Sequence, residues 1–147
     1  MDISQQTTRV AMVQYSSDFD IEFHWINNPS TLISAINGIS YEHGSGTYTA
    51  SGMIKAYERV IRDGNTRNNA NVKMVVITDG KSSSSDPEHP VEDAADDVRD
   101  QGVEMIAFGW GGFNIDDLED ISNTVITADD VEDLANNIAP LVETICG

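Results

Sequence analysis

The sequence predicts an α/β fold built on a doubly wound, mostly parallel sheet with one antiparallel edge strand, and three observations predict it. Apolar runs of strand length alternate with stretches of helical period from about residue 8 to the end. Val72-Lys73-Met74-Val75-Val76-Ile77 is the strongest buried-strand signal in the chain, of the kind a strand covered on both faces carries. Ile21, Phe23 and Trp25 alternate with Glu22, His24 and Ile26, the period-2 pattern of a strand with one better-buried face. An all-α or all-β fold is excluded.

The elements follow in order. Arg9-Val10-Ala11-Met12-Val13-Gln14-Tyr15 is a short, nearly continuous apolar run, again expected to be covered on both faces. Ser16-Ser17-Asp18 turns the chain into the alternating strand, so the two form a hairpin. Asn28-Pro29 starts a helix, Asn as cap and Pro at the first helical position, with Leu32, Ile33, Ala35, Ile36 and Ile39 as its apolar stripe. After the loop Gly44-Ser45-Gly46-Thr47-Tyr48-Thr49, the residues Met53, Ile54, Tyr57, Val60 and Ile61 define a second helix. It ends near Asp63-Gly64, with Gly64 expected in the left-handed terminating conformation. Thr78-Asp79-Gly80 then sits at the carboxyl end of the strongest strand, where open α/β sheets bind ligands. Beyond the Ser82-Ser83-Ser84-Ser85-Asp86-Pro87 loop, Val91, Ala94, Ala95 and Val98 mark a helix closed by Gly102. Residues 103–110 form a strand terminated by Gly111-Gly112, followed by a short helix over 116–121 and a weak strand over 124–126. The last helix opens on Thr127-Ala128-Asp129-Asp130, which resembles a capping box. Val131, Leu134, Ala135, Ile138, Leu141, Val142 and Ile145 line one of its faces, and Pro140 is expected to kink it.

No linker or internal repeat divides the chain, so residues 1–147 are expected to form one domain. Its formal charge of −17 excludes a nucleic-acid partner, because a surface this acidic repels phosphate backbones. No apolar run approaches the roughly 18 residues needed to span a bilayer, which excludes membrane insertion, and residues 1–6 lack the basic start and apolar stretch of a secretory signal. Cys146 cannot close a bridge within this chain, since it is the single cysteine.

Several chemistries fail on context. The loop of residues 44–52 is glycine-rich, but no Gly-Lys-Ser/Thr follows and the loop is preceded by a helix, not a strand, so it is no phosphate cradle. His24, His43 and His89 have no Cys partner and no metal-type spacing. His43-Gly44-Ser45-Gly46 lacks the strand-to-helix elbow of a serine nucleophile, so no enzyme activity is expected. The acidic clusters at Glu92-Asp93, Asp96-Asp97, residues 116–120 and residues 129–133 lack the ligand order of a calcium loop and fall mostly in the first turns of helices, where the dipole stabilises carboxylates. What remains is Thr47 with Asp79: a hydroxyl and a carboxylate, the oxygen ligands a hard divalent cation prefers, on loops at one rim of the sheet.

These residues carry a resemblance. Thr8-Arg9-Val10-Ala11-Met12-Val13-Gln14-Tyr15-Ser16, Gly46-Thr47-Tyr48-Thr49-Ala50, Val75-Val76-Ile77-Thr78-Asp79-Gly80 and Val103-Glu104-Met105-Ile106-Ala107-Phe108-Gly109-Trp110-Gly111, in this order and spacing, resemble a von Willebrand factor type A domain. Leu141-Val142-Glu143-Thr144-Ile145-Cys146 is similar to the end of such domains in collagen VI-like chains and matrilins. The resemblance implies a secreted or ectodomain adhesion module whose partner is an extracellular protein, collagen or another matrix component. It also implies a metal-ion-dependent adhesion site for Mg²⁺ or Ca²⁺ in which Thr47 matches the loop threonine and Asp79 the turn aspartate, with His43, Tyr48, Lys81 and Ser82 around the ligand rim.

The family's Asp-x-Ser-x-Ser motif has no counterpart: Asp2-Ile3-Ser4 mimics its beginning, but Gln6 stands where the second serine belongs. The resemblance therefore implies a chain lacking the family's first central strand and first helix, with an incomplete site that binds cation weakly or not at all. The hairpin would then stand apart from the strand ending at Asp79, or close directly onto it. It also implies that the partner of Cys146 lies in the segment lacking here. The alternative reading is an acidic structural matrix protein that collects Ca²⁺ by charge.

Overall fold

The strands fall into two sheets. In the computed structural model, which describes residues 8–41 and 44–146 apart from the side chains of Val131, Leu134 and Ala135, β1 (Val10–Tyr15) pairs antiparallel with β2 (Phe19–Ile26). The strands β3 (Lys73–Thr78), β4 (Glu104–Trp110) and β5 (Val125–Ala128) form a separate parallel sheet in the order β3-β4-β5. The α/β class, the parallel core and the antiparallel hairpin agree with the sequence, but the single sheet is replaced by two. Of the two arrangements open to the hairpin, the structure adopts separation. A ladder needs strands about 4.8 Å apart, and between β1 and β3 lies a cavity of about 1630 Å³.

The core sits around β4, whose two edges are both paired. Met105, Ile106, Ala107 and Phe108 are all 4% exposed or less, as a parallel strand with helices on both faces requires. Met105, Ala107 and Val76 of β3 meet Ala50 and Met53 of α2 (Thr49–Ala56), the Val91, Ala94, Ala95 and Val98 stripe of α3 (Val91–Asp100), and Leu118 and Ile121 of α4 (Ile115–Ile121). Each large apolar side chain buried in this way contributes about 2 kcal/mol. Helix α5 (Val131–Cys146) packs on β5, and α1 (Pro29–Asn37) packs on β2.

Helix boundaries follow local chemistry. Asn28 Oδ1 accepts the Thr31 N–H at 3.0 Å, the cap read from Asn28-Pro29. Gly102 closes α3 at φ +83°. The capping arrangement of α5 rests on Asp130 and Asp133 instead of Thr127: Asp130 Oδ1 accepts the Asp133 N–H at 2.8 Å, and Asp133 Oδ2 accepts the Asp129 N–H at 3.0 Å.

Helix α2 runs into a π-helical segment, Tyr57–Arg62, continued by an i to i+5 bond from Asp63 N–H to the Glu58 carbonyl at 3.2 Å. Trp25 of β2 donates its indole N–H to the Val60 carbonyl at 3.2 Å. Here one expectation is corrected: the left-handed residue is Asn65, at φ 61°, and not Gly64. Gly64 is needed for a different reason, since a Cβ there would lie 1.9 Å from the Val60 carbonyl oxygen.

The strands facing the cavity are less covered than their apolar runs predict. Met12 on β1 is 38% exposed and Ile77 on β3 is 55% exposed, while Ile33 and Ile36 of the α1 stripe stand at 60% and 48%. The physical reason is geometric. A strand that lacks a neighbour along one edge loses the side-chain cover that neighbour supplies.

Candidate functional site

The loop of residues 44–48 is stitched between the end of β1 and the segment following β3. Tyr48 N–H donates to the Ser16 carbonyl at 3.0 Å, Thr47 N–H to Ser83 Oγ at 3.0 Å, and Ser83 N–H to the Thr47 carbonyl at 2.8 Å. Ser45 adds a backbone and a hydroxyl contact to Ser17 Oγ, at 3.3 and 3.1 Å. The Ser-rich segment read as a flexible loop thus anchors the rim through Ser83, which the sequence did not single out.

Thr47, half-buried, and Asp79, exposed, are both among the residues that line the cavity between β1 and β3, as are Gly111 and Gly112. Tyr48 shares a hydrogen bond between its hydroxyl and Ser85 Oγ at 3.3 Å, and Lys81 is exposed. Ser82 is only 8% exposed, and its N–H donates to Asp117 Oδ2 at 2.6 Å. His43 and the segment Asp2 to Gln6 lie outside the described residues.

Two buried carboxylates escaped the sequence reading. Tyr48 supplies no side-chain cap to α2. Asp86 does so from a distant segment, accepting the Ser51 N–H on both oxygens, at 3.1 and 3.3 Å, and the Ser51 hydroxyl. A carboxylate there satisfies an orphan donor and meets the positive end of the helix dipole. Asp117 plays a matching part under the Lys81-Ser82 backbone. Burial pushes the Tyr15 phenol above its ordinary value of 10.0, against hydrogen bonding from Thr49 and Thr78, and the Asp79 charge adds to the rise.

A divalent cation such as Mg²⁺ requires near-octahedral oxygen coordination. The rim offers the Thr47 hydroxyl and the Asp79 carboxylate, and among the described residues no group of three His, Cys, Asp or Glu side chains is placed to hold a metal.

An open α/β architecture with loops converging over the carboxyl ends of its strands defines a class of ligand-binding modules. The chain belongs to the von Willebrand factor type A domain family, whose model matches residues 1–139. It is 28% identical over 152 residues to the collagen alpha-5(VI) chain of Mus musculus, covering 99% of this chain and 6% of that protein. It is 31% identical over 117 residues to matrilin-3 of Gallus gallus, covering 76% of this chain and 25% of that protein. The chain thus spans a small part of the curated relatives it matches.

Among solved structures, proximal thread matrix protein 1 from the mussel byssus, with a zinc-occupied MIDAS motif, matches with a TM-score of 0.86 at 21% identity. That match covers 97% of this chain and 37% of that one, and it shows the shared fold. Among the described residues no helix is long and apolar enough to cross a membrane. Cys146 is a free, exposed thiol.

Proposed function

We propose that this chain is a non-enzymatic, extracellular protein-interaction module that contacts a matrix protein through the rim formed by residues 44–48 and 79–82, with a cation pocket too poor in ligands to bind Mg²⁺ tightly. The observation that supports this reading is that Thr47 and Asp79 line one cavity, with the Thr47 loop tied to the segment after Asp79 by the reciprocal Thr47 and Ser83 bonds. In this reading Tyr48 and Lys81 present an aromatic face and a positive charge to the partner, and collagen is the first ligand to try, because a collagen VI chain is among the relatives.

The two loops fix where a partner docks, and the bound surface supplies affinity without a metal bridge. In support, the reciprocal bonds between Thr47 and Ser83, one to the Ser83 hydroxyl and one to the Thr47 carbonyl, pre-organise the rim and lower the ordering cost of binding.

The test pairs calorimetry with adhesion. Titration of the protein with MgCl₂ is expected to give no sub-millimolar site. Binding to immobilised collagen is expected to persist in EDTA and to weaken in Tyr48→Ala and Lys81→Glu. Sub-millimolar Mg²⁺ binding that disappears in Asp79→Ala, or collagen binding unaffected by both rim variants, overturns the proposal.

A further inference from the structure

Three places in the chain put glycine directly after Asn or Asp: Asn37-Gly38, Asp63-Gly64 and Asp79-Gly80. Such a pair can close a five-membered succinimide ring, because glycine has no side chain to hinder attack by its amide nitrogen on the preceding side-chain carbonyl carbon. The reaction needs two freedoms. The glycine N–H must leave its hydrogen-bond partners, and the Asn or Asp side chain must swing over the following peptide. The fold grants them unequally.

Asn37-Gly38 ends α1, and the Gly38 N–H donates to the Ser34 and Ala35 carbonyls, both at 3.1 Å. Asp63-Gly64 is held from both sides. The Arg62 guanidinium donates to the Asp63 carboxylate at 2.9 and 3.4 Å and, chiefly through that hydrogen bonding, holds its pKa below the ordinary value. A carboxyl oxygen leaves as water only after taking up a proton, so this pairing opposes closure. Gly64 is also wedged against the Val60 backbone, where a Cβ would lie 1.9 Å from the carbonyl oxygen.

Asp79-Gly80 differs on each count. It lies on the bend after β3, where Asp79 is exposed and its carboxylate makes no hydrogen bond or ion pair among the described residues. The Gly80 N–H donates to Thr78 Oγ1 at 3.4 Å, longer than an ordinary hydrogen bond. A Cβ at Gly80 would meet nothing within 4 Å, so the peptide has room to turn.

We propose that Asp79 is a site of spontaneous isomerisation to isoaspartate, selected by the fold from the three candidate pairs. The Gly80 nitrogen bonds to Asp79 Cγ, and the Cγ hydroxyl leaves with the Gly80 amide proton as water. Water then adds to the main-chain carbonyl carbon of Asp79, breaks its bond to the Gly80 nitrogen and returns a proton to that nitrogen. The chain is now linked through Cγ, with the carboxylate on Cα. No oxidant or reductant enters, and the net charge is unchanged. The product lengthens the backbone by one methylene between β3 and the segment that Ser83 ties to Thr47.

The test incubates the whole chain in heavy-oxygen water at neutral pH, in parallel with the same chain unfolded in guanidinium chloride. Peptide mapping over time reads label uptake, and isoaspartyl methyltransferase labelling reads the isomer. The folded-to-unfolded rate ratio at each pair cancels the intrinsic difference between Asn and Asp and reports the fold alone. The ratio at Asp79 is expected to exceed those at Asn37 and Asp63 by about fivefold or more, the weight of one ordinary hydrogen bond. Label uptake at Asp79 is expected to fall in Gly80→Ala, whose methyl enters open space.

Equal ratios at the three pairs overturn the proposal, as does a folded chain that forms no isoaspartate at Asp79. Undiminished uptake in Gly80→Ala overturns it too, by removing the glycine nitrogen's unhindered attack from the account. None of these readouts involves Mg²⁺ or collagen, so this site and the rim reading fail separately.

Discussion

The Tyr15 hydroxyl donates to the Ile77 carbonyl oxygen at 3.3 Å, a bond between two strands that share no ladder. It spans 62 residues of sequence and ties the hairpin to the parallel sheet at the end where the rim loops converge. Tyr15→Phe keeps the ring and removes this bond, so the variant should lose about 1 kcal/mol of unfolding free energy, measured by urea denaturation.

The same phenol predicts an alkaline signature. Its folded value is raised above 10.0, chiefly by burial. An unfolded phenol then ionises first, so this contribution to stability is full below that value and is lost as pH rises through the folded one. Above about pH 10 the denaturation midpoint of the parent chain should fall more steeply than that of Tyr15→Phe. Parallel pH profiles would show that the group is not buried in solution.

Gly64→Ala tests the π-helical ending. The added methyl would sit 1.9 Å from the Val60 carbonyl oxygen, an atom that also accepts the Trp25 indole N–H. Backbone must move, and the expected loss is about 1–3 kcal/mol, with a shift in Trp25 fluorescence as its hydrogen bond is disturbed. Thermal unfolding unchanged from the parent would contradict this account.

Asp86→Ala should destabilise the chain by about 1–3 kcal/mol, because it leaves the buried Ser51 N–H without its carboxylate at the start of α2. Asp86→Asn retains an acceptor oxygen but loses the charge facing the helix dipole, and should fall between the two. Hydrogen exchange at Ser51 reads the effect locally.

What could be read from the sequence depended on whether short-range pattern decides the outcome. The stripe Val91, Ala94, Ala95 and Val98 and the run Met105 to Phe108 are buried as their periodicities require, since each packs against elements within the same core. The π-helical segment was not legible, because the Val60 carbonyl answers to an indole 35 residues away. Likewise Met12 and Ile77 sit in runs whose composition suits full burial, yet their exposure is set by an edge partner that no local pattern reports.

At the site, the strand-end position of Asp79 follows from the strong run before it. The roles of Ser83 and Asp86 arise only when residues 47–51 approach in three dimensions, so from sequence the serine-rich stretch reads only as a flexible loop. The expected left-handed Gly64 failed for a related reason: Asn65 absorbs the positive φ, and crowding by Val60 dictates the glycine.

The charge of −17 predicts how this chain meets calcium. Carboxylates spread over exposed helix starts, as at Asp116 and Asp129, create a field that gathers cations without assembling a coordination shell. Such binding is screened, because the Debye length falls from about 10 Å at 0.1 M salt to about 3 Å at 1 M. Titration with CaCl₂ at low ionic strength should show many weak sites that fade together as NaCl is added, and Thr47→Ala and Asp79→Ala should leave that curve nearly unchanged. A single saturable site that survives 1 M NaCl (about 3 Å screening) and vanishes in Thr47→Ala would instead place a true cation pocket at the rim. The calcium measurement thus separates a diffuse atmosphere from a coordinated ion with the two side chains that the rim provides.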